Sequence, residues 1–257
     1  MNGLILAAGR GSRLGHLTDD RPKCMVALRG RPLLQWQLDA MRCGGVDAFA
    51  MVRGYRWQQL KFSGIRAFDN ARWAETNMVA SLACATDWLR SGPCIVSYAD
   101  IVCHPDHISR LAACDADIAI TYDTQWLSLW QARFADPLCD AETLAVGGDG
   151  ALTDIGRRPS SLDQVAGQYM GLLKTTPAGW RCVERHLASL SDSKVDALDM
   201  TSLLQALIAE GVSIAAVPVA GRWLEIDSSS DLRLYSRWLD HPHASDWLGV
   251  EPAQIAS

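Results

Sequence analysis

The chain has 257 residues, room for one large or two small domains, with 49% hydrophobic and 21% charged, the balance of an ordinary globular protein. A formal net charge of −5 excludes a broad basic face for nucleic acid or an anionic membrane, so any anion site must be local. The eight cysteines (24, 43, 84, 94, 103, 114, 139 and 182) form no C-x-x-C pair and no stretch approaches 18 apolar residues, which argues against a zinc ribbon, a disulfide framework or a membrane span and for a soluble, cytoplasmic protein.

Residues 4–8 are an apolar run of strand length that empties into Gly9-Arg10-Gly11-Ser12-Arg13-Leu14-Gly15, followed by Arg21-Pro22-Lys23. A glycine-rich loop after a strand offers backbone N–H groups with no side chains to hold a phosphate away. Arg10, Arg13 and Lys23 add positive charge, so the expected guest is a polyphosphate. A Walker loop is excluded because no lysine follows Gly15 until Lys23. The dinucleotide fingerprint fails because Leu14 stands where its third glycine should fall. Leu6-Ala7-Ala8-Gly9-Arg10-Gly11-Ser12-Arg13-Leu14, with Pro22-Lys23 at the matching distance, resembles the signature of the sugar-nucleotidyltransferase superfamily. The resemblance implies that Leu6, Ala7, Ala8, Gly9, Arg10, Gly11 and Ser12 cradle a nucleotide and that Arg13 and Lys23 are catalytic, acting on its phosphates.

Next, Leu33, Leu34, Leu38 and Met41 recur at helical spacing between Pro32 and Gly44-Gly45, and a strand follows at 48–52, the βαβ rhythm of a parallel sheet. A strand at 65–68 leads to a helix over 77–89, in which Asn77 and Ser81 share one face. The resemblance implies base or ribose contacts for both; helix capping is the other reading. The strand at 94–98 ends in Tyr98-Ala99-Asp100, at the carboxyl edge where ligands of parallel sheets gather. By resemblance, Tyr98 lies beside the nucleotide and Asp100 holds its Mg²⁺, although Asp100 could instead cap the helix that Pro105 opens.

A strand at 117–122 delivers Tyr122, Asp123 and Trp126, with Trp130 one helical turn on and Arg133 behind it. Segments 140–148 and 151–155, joined by Asp149-Gly150, predict a hairpin that makes the sheet mixed. The strand at 165–173 contains Gly167 and Gly171, a sign of close backbone approach to a ligand. From Tyr122 to Leu173 the chain resembles a narrower branch, the cytidylyltransferases that activate phosphocholine or small phosphonates. That resemblance implies an acceptor site made of Tyr122, Asp123, Trp126, Trp130, Arg133, Arg157, Gln168 and Tyr169. Trp126, Trp130, Tyr169 and Asp123 suit a cationic head, whereas Arg133, Arg157 and Arg158 suit a carboxylate, and the tryptophan pair suits core packing equally well.

Helices at 178–190 and 200–210 and a strand at 214–217 precede Trp223-Leu224-Glu225-Ile226-Asp227, where the acids alternate with apolar residues. This segment resembles the superfamily's second metal-binding segment, implying that Glu225 and Asp227 join Asp100 on Mg²⁺; the other reading makes Asp227 the cap of a last helix begun by Ser228–Ser230. The predicted architecture is α/β, a Rossmann-like three-layer α/β/α sandwich with a mixed, mainly parallel central sheet and a small antiparallel insertion. We expect one domain over 1–240, with the acceptor side around 123–175, and a loosely packed tail at 241–257. The function expected from the resemblance is CMP transfer from CTP to a small phosphonate or phosphate (2-aminoethylphosphonate, phosphonoformate or phosphocholine, as in phosphonate biosynthesis) by a monomer or homodimer. The alternative is a sugar-1-phosphate nucleotidyltransferase using UTP or dTTP.

Overall fold

The computed structural model describes residues 1–240 and 248–249; apart from Leu248 and Gly249, the expected tail lies outside the described residues. Seven strands form one sheet: β1 (Asn2–Ala7), β2 (Ala48–Arg53), β3 (Ile65–Asp69), β4 (Cys94–Tyr98), β5 (Ile118–Asp123), β6 (Gln168–Thr175) and β7 (Ala215–Val219), in the order 3-2-1-4-6-5-7. All neighbours are parallel except β6, which runs antiparallel to both β4 and β5. The strands are apolar throughout because both faces are covered: Ile5 and Ala7 enter one core, Leu4 and Leu6 the other.

Helices α1 (Leu33–Cys43), α4 (Pro105–Ala113), α5 (Trp126–Arg133) and α9 (Ser229–Trp238) contribute to the first core. Helices α2 (Met78–Ala83), α3 (Thr86–Arg90), α6 (Pro177–Ala188) and α8 (Met200–Ala209) contribute to the second. The result is the expected three-layer, mainly parallel sandwich. The chain runs outward from β1 to β2 and β3, then crosses to the other side of β1 to make β4. Such a reversal opens a crevice above the carboxyl ends of the two diverging strands.

Three local features differ from expectation. The helix over 77–89 is two helices, because the N–H groups of Cys84 and Ala85 turn back to carbonyls only three residues earlier and the Thr86 hydroxyl donates to the Ala83 carbonyl. The hairpin forms, with strands at Leu144–Val146 and Leu152–Ile155, but residues 140–143 stay outside its ladder. A third pairing was not foreseen: Ile101–Cys103, just after β4, runs antiparallel to Trp223–Glu225. The Ile226 N–H donates to the Asp100 carbonyl at 2.9 Å, so this short ladder draws two acidic segments, far apart in sequence, to one place. All eight cysteines are free, and among the described residues no helix is long and apolar enough to cross a membrane.

Candidate nucleotide and acceptor site

A pocket of about 220 Å³ opens in the crevice between β1 and β4. Its walls are the loop after β1 (Leu6, Ala8, Gly9, Gly11), the start of α2 (Thr76, Asn77, Ser81), the end of β4 (Tyr98, Asp100) and Lys23. Gly11 sits at φ +73, a left-handed conformation, and a Cβ there would come within 2.8 Å of the Lys23 side chain. A residue without a side chain is therefore required where the loop folds over Lys23. Asn77 caps α2 by accepting from the Met78 N–H at 2.8 Å, and the buried Ser81 hydroxyl accepts from the Asn70 amide at 3.0 Å. Both also line the pocket, so capping and ligand contact are compatible here.

On the floor of the crevice, Lys23 Nζ lies 2.8 Å from Asp100 Oδ2 and 2.6 Å from Asp227 Oδ1. Arg13 Nη2 is 2.9 Å from the same Asp227 oxygen. From the opposite side comes Arg133, its side chain 1% exposed, at 2.7 Å from Glu225, 3.1 Å from Asp231 and 3.4 Å from Asp227. Burial alone would lower the Lys23 pKa, but the adjoining Asp100 and Asp227 outweigh it and the net shift is upward. Asp227 is shifted down: burial opposes this, and Lys23, Arg13 and Arg133 overcome it. Glu225 is pushed up to about 7, first by burial and then by repulsion from Asp227, with Arg133 only partly compensating.

Neither Asp100 nor Asp227 caps a helix. The last helix is capped by Ser228 and Asp231 as a capping box, and α4 by His104, whose Nδ1 accepts from the Asp106 N–H. The donor set suits a hard divalent cation, since all three acids offer oxygen and Asp100 Oδ1 is buried with no hydrogen-bond partner. Among the described residues no three ligating side chains already converge as a finished cage. The ammonium of Lys23 lies between Asp100 and Asp227 instead.

A second pocket, about 370 Å³, adjoins the first and shares Met78 and Tyr98 with it. Arg13, Glu225 and Asp227 form the side nearest the cluster; Asp140, Glu142, Gln168, Tyr169, Asp199 and Thr201 form the rest. Tyr98 and Tyr169 meet edge to face, 5.8 Å between centroids at 85°. Burial, reinforced by Asp199, raises the Glu142 pKa, and burial raises that of Asp140. Five acidic side chains and one arginine, Arg13, line this cavity among the described residues.

The MobA-like NTP transferase domain matches residues 3–165, more than half of the chain. The chain belongs to the MobA-like NTP transferase family. The CTP:phosphoglutamine cytidylyltransferase of Campylobacter jejuni subsp. jejuni serotype O:2 is 36% identical over 252 residues, covering 91% of this chain and 98% of that protein. The 2-aminoethylphosphonate cytidylyltransferase of Lancefieldella rimae is 30% identical over 112 residues, 42% of this chain and 46% of that protein. The solved inositol-1-phosphate CTP transferase from T. maritima superposes with a TM-score of 0.75 at 19% identity, covering 98% of each chain, a likeness of fold.

For this NTP transferase, several expected site residues lie elsewhere. Ala7 faces the opposite core, Arg10 pairs with Asp19 at 2.8 Å, and Ser12 begins the turn beyond; none of the three lines the first pocket. On the acceptor side, Asp123 is 1% exposed and already committed: it accepts from the N–H groups of Gln125 and Gly221 and from the Trp223 indole. Trp126 is core, packed against Trp130; Trp130, itself 3% exposed, also lines the second pocket. Arg133 is locked by three acids rather than free for an acceptor carboxylate. Arg157 lies largely in solvent beside Asp154, and Tyr122 is turned away; neither lines the pocket. A Cβ would lie 2.5 Å from Tyr122 at Gly167, just before β6, and 2.5 Å from Tyr98 at Gly171, where φ is +70 and which lines the second pocket. Gln168 and Tyr169 do face the second pocket. Thr76, Asp140, Glu142, Asp199 and Thr201 were missed, because no local pattern marks residues that only the tertiary fold brings to one cavity.

Proposed function

We propose that this nucleotidyltransferase transfers CMP from CTP to a small phosphate or phosphonate that carries an ammonium group, with release of pyrophosphate. The observation that carries the proposal is the acid-walled second pocket, which shares Tyr98 and Met78 with the nucleotide crevice and, among the described residues, has Arg13 as its one arginine. An oxygen of the acceptor attacks the α-phosphorus of CTP, a new P–O bond forms, and the bond to the β-phosphate oxygen breaks in line. The attacking oxygen is already ionised at neutral pH, so no general base is needed. The work of the protein is to neutralise charge and align the two anions.

Lys23 and Arg13 bind the β- and γ-phosphates and hold the charge that accumulates on departing pyrophosphate. Asp100 and Asp227, with Glu225 beside them, would hold Mg²⁺, which would supply further positive charge to offset the repulsion of the two anions. Arg133 keeps Glu225 and Asp227 in place. Asp140, Glu142 and Asp199 bind the ammonium group, and the faces of Tyr98 and Tyr169 cover it. Choice of CTP is supported by the relatives named above, and an ammonium group is common to phosphoglutamine and 2-aminoethylphosphonate.

The test is a thermal-shift screen over CTP, UTP, dTTP, ATP and GTP with Mg²⁺, followed by pyrophosphate release with 2-aminoethylphosphonate, phosphocholine, phosphoglutamine, phosphonoformate and glucose 1-phosphate. CTP should stabilise the protein most, and an ammonium-bearing acceptor should be turned over fastest. Preference for UTP or dTTP with glucose 1-phosphate, or for phosphonoformate over every amine, would reject the proposal.

A further inference from the structure

We propose that Lys23 is the resident cation of the divalent-metal site, and that the site becomes available only when a nucleoside triphosphate draws Lys23 onto its phosphates. This rests on the reading of Asp100 and Asp227 as metal-holding residues and adds an order of events to it.

The geometry is that of one guest between two hosts. The ammonium of Lys23 stands 2.8 Å from one carboxylate and 2.6 Å from the other, on a side chain only 12% exposed. Lysine is a point charge on a flexible four-carbon stem, able to leave without moving the backbone. Asp227 Oδ1 accepts from Lys23 and lies 2.9 Å from Arg13 Nη2, so this oxygen is doubly neutralised. Asp100 Oδ1, buried and without a hydrogen-bond partner, remains unused. A divalent ion entering this cluster would have to sit beside two cations at distances where like charges repel strongly.

Nucleotide changes the balance. Lys23, Gly9 and Gly11 line the same pocket as Asp100, so a triphosphate bound along the loop offers Lys23 and Arg13 a more concentrated negative partner. Once they turn to it, the part-buried Asp100 loses its counter-charge and the buried Asp227 keeps only Arg133 at 3.4 Å, a costly state that a divalent ion relieves. Nucleotide and metal therefore enter together, and by linkage each raises the affinity for the other.

The discriminating measurement omits nucleotide altogether, because metal bound to CTP phosphates would mimic the coupling. Free Mn²⁺ is followed by electron paramagnetic resonance during titration into wild type, Lys23→Met, Lys23→Gln and the double variant Lys23→Met with Asp100→Asn. Wild type should bind Mn²⁺ weakly. Lys23→Met and Lys23→Gln should bind it about tenfold or more tightly, and the double variant should lose that gain. Variants no tighter than wild type, given native circular dichroism, would overturn the inference, and so would a double variant that keeps the gain. None of these readings depends on which nucleotide or acceptor is turned over, so the inference can fail while the proposed activity stands.

Discussion

Arg133 offers the sharpest test of how the acidic cluster is held. Its side chain is 1% exposed and is shared among Glu225, Asp227 and Asp231, whose side chains are 23%, 7% and 6% exposed. Replacing it by methionine preserves most of the volume and leaves three largely buried acids without that counter-charge. Removing one partner of a buried ion pair costs about 3–5 kcal/mol. Asp231 retains hydrogen bonds from the N–H groups of Asp227 and Ser228 and from the Ser228 hydroxyl, which keeps the loss within that range. For a chain of this size each kcal/mol moves Tm by roughly 2–4 °C, so Arg133→Met should melt about 6–20 °C below wild type at pH 7.5 by scanning fluorimetry. The penalty has a sign in pH. Arg133 holds the Glu225 pKa down against burial, so without it Glu225 is raised further in the folded state; acidification protonates it and relieves the repulsion, and the gap to wild type should narrow at pH 5.5. A variant melting within 2 °C of wild type at pH 7.5, or a gap that widens in acid, would refute this view of Arg133.

Gly11→Ala places a Cβ at φ +73 and 2.8 Å from Lys23; a left-handed residue with a side chain costs about 1–2 kcal/mol. A modest loss of Tm should accompany a lower kcat with little change in the KM for the acceptor, measured by pyrophosphate release. Glu142→Gln keeps the shape of the second pocket and removes one charge, which should raise the KM for an ammonium-bearing acceptor about tenfold, the scale of one charged hydrogen bond, and leave the KM for CTP unchanged; equal effects on both would contradict the assignment of the cavity. In wild type the upward shifts of Asp140 and Glu142 predict that acceptor KM rises as pH falls, since their protonation removes the charge the ammonium group needs. His107, 4% exposed and with its pKa pushed down to about 4 by burial and by His104, folds in its neutral form. Its contribution is present above the unfolded value of about 6.5 and is lost as pH falls toward 4, about 2 kcal/mol between pH 7 and 5. His107→Gln should therefore lose less stability than wild type over that interval in urea titrations.

The parts legible in the sequence were those where local chemistry and local geometry coincide. Leu4 to Gly11 reads as strand then loop because an apolar run and two glycines are contiguous. Asp100 and Asp227 were visible because each ends an apolar stretch, and the structure brings both to Lys23. What joins them, the pairing of Ile101–Cys103 with Trp223–Glu225, leaves no trace in hydrophobic pattern, since two three-residue strands carry no period. Arg133, following two tryptophans on a helix, reads as a partner for an acceptor carboxylate, and the tryptophans read equally as a cationic-head site or as core. The fold turns the rings into the core and carries the guanidinium inward to Glu225, a choice that only tertiary packing decides. Glu142 and Asp199 meet because the segment before the hairpin, held to Gln168 of β6, and the N-cap of α8 border one cavity, and neither belongs to a pattern that a single sequence displays.

The central claim is that one crevice joins CMP to an ammonium-bearing phosphate or phosphonate. ³¹P NMR of CTP, 2-aminoethylphosphonate and Mg²⁺ incubated with the wild-type protein should show the γ-phosphate signal of CTP replaced by pyrophosphate, with a new pair of coupled resonances in which the phosphonate phosphorus is bonded through oxygen to the CMP phosphorus. The Asp227→Asn protein should leave the spectrum of the starting mixture. Inorganic phosphate without a coupled pair in wild type, or the coupled pair formed equally fast by Asp227→Asn, would contradict the account.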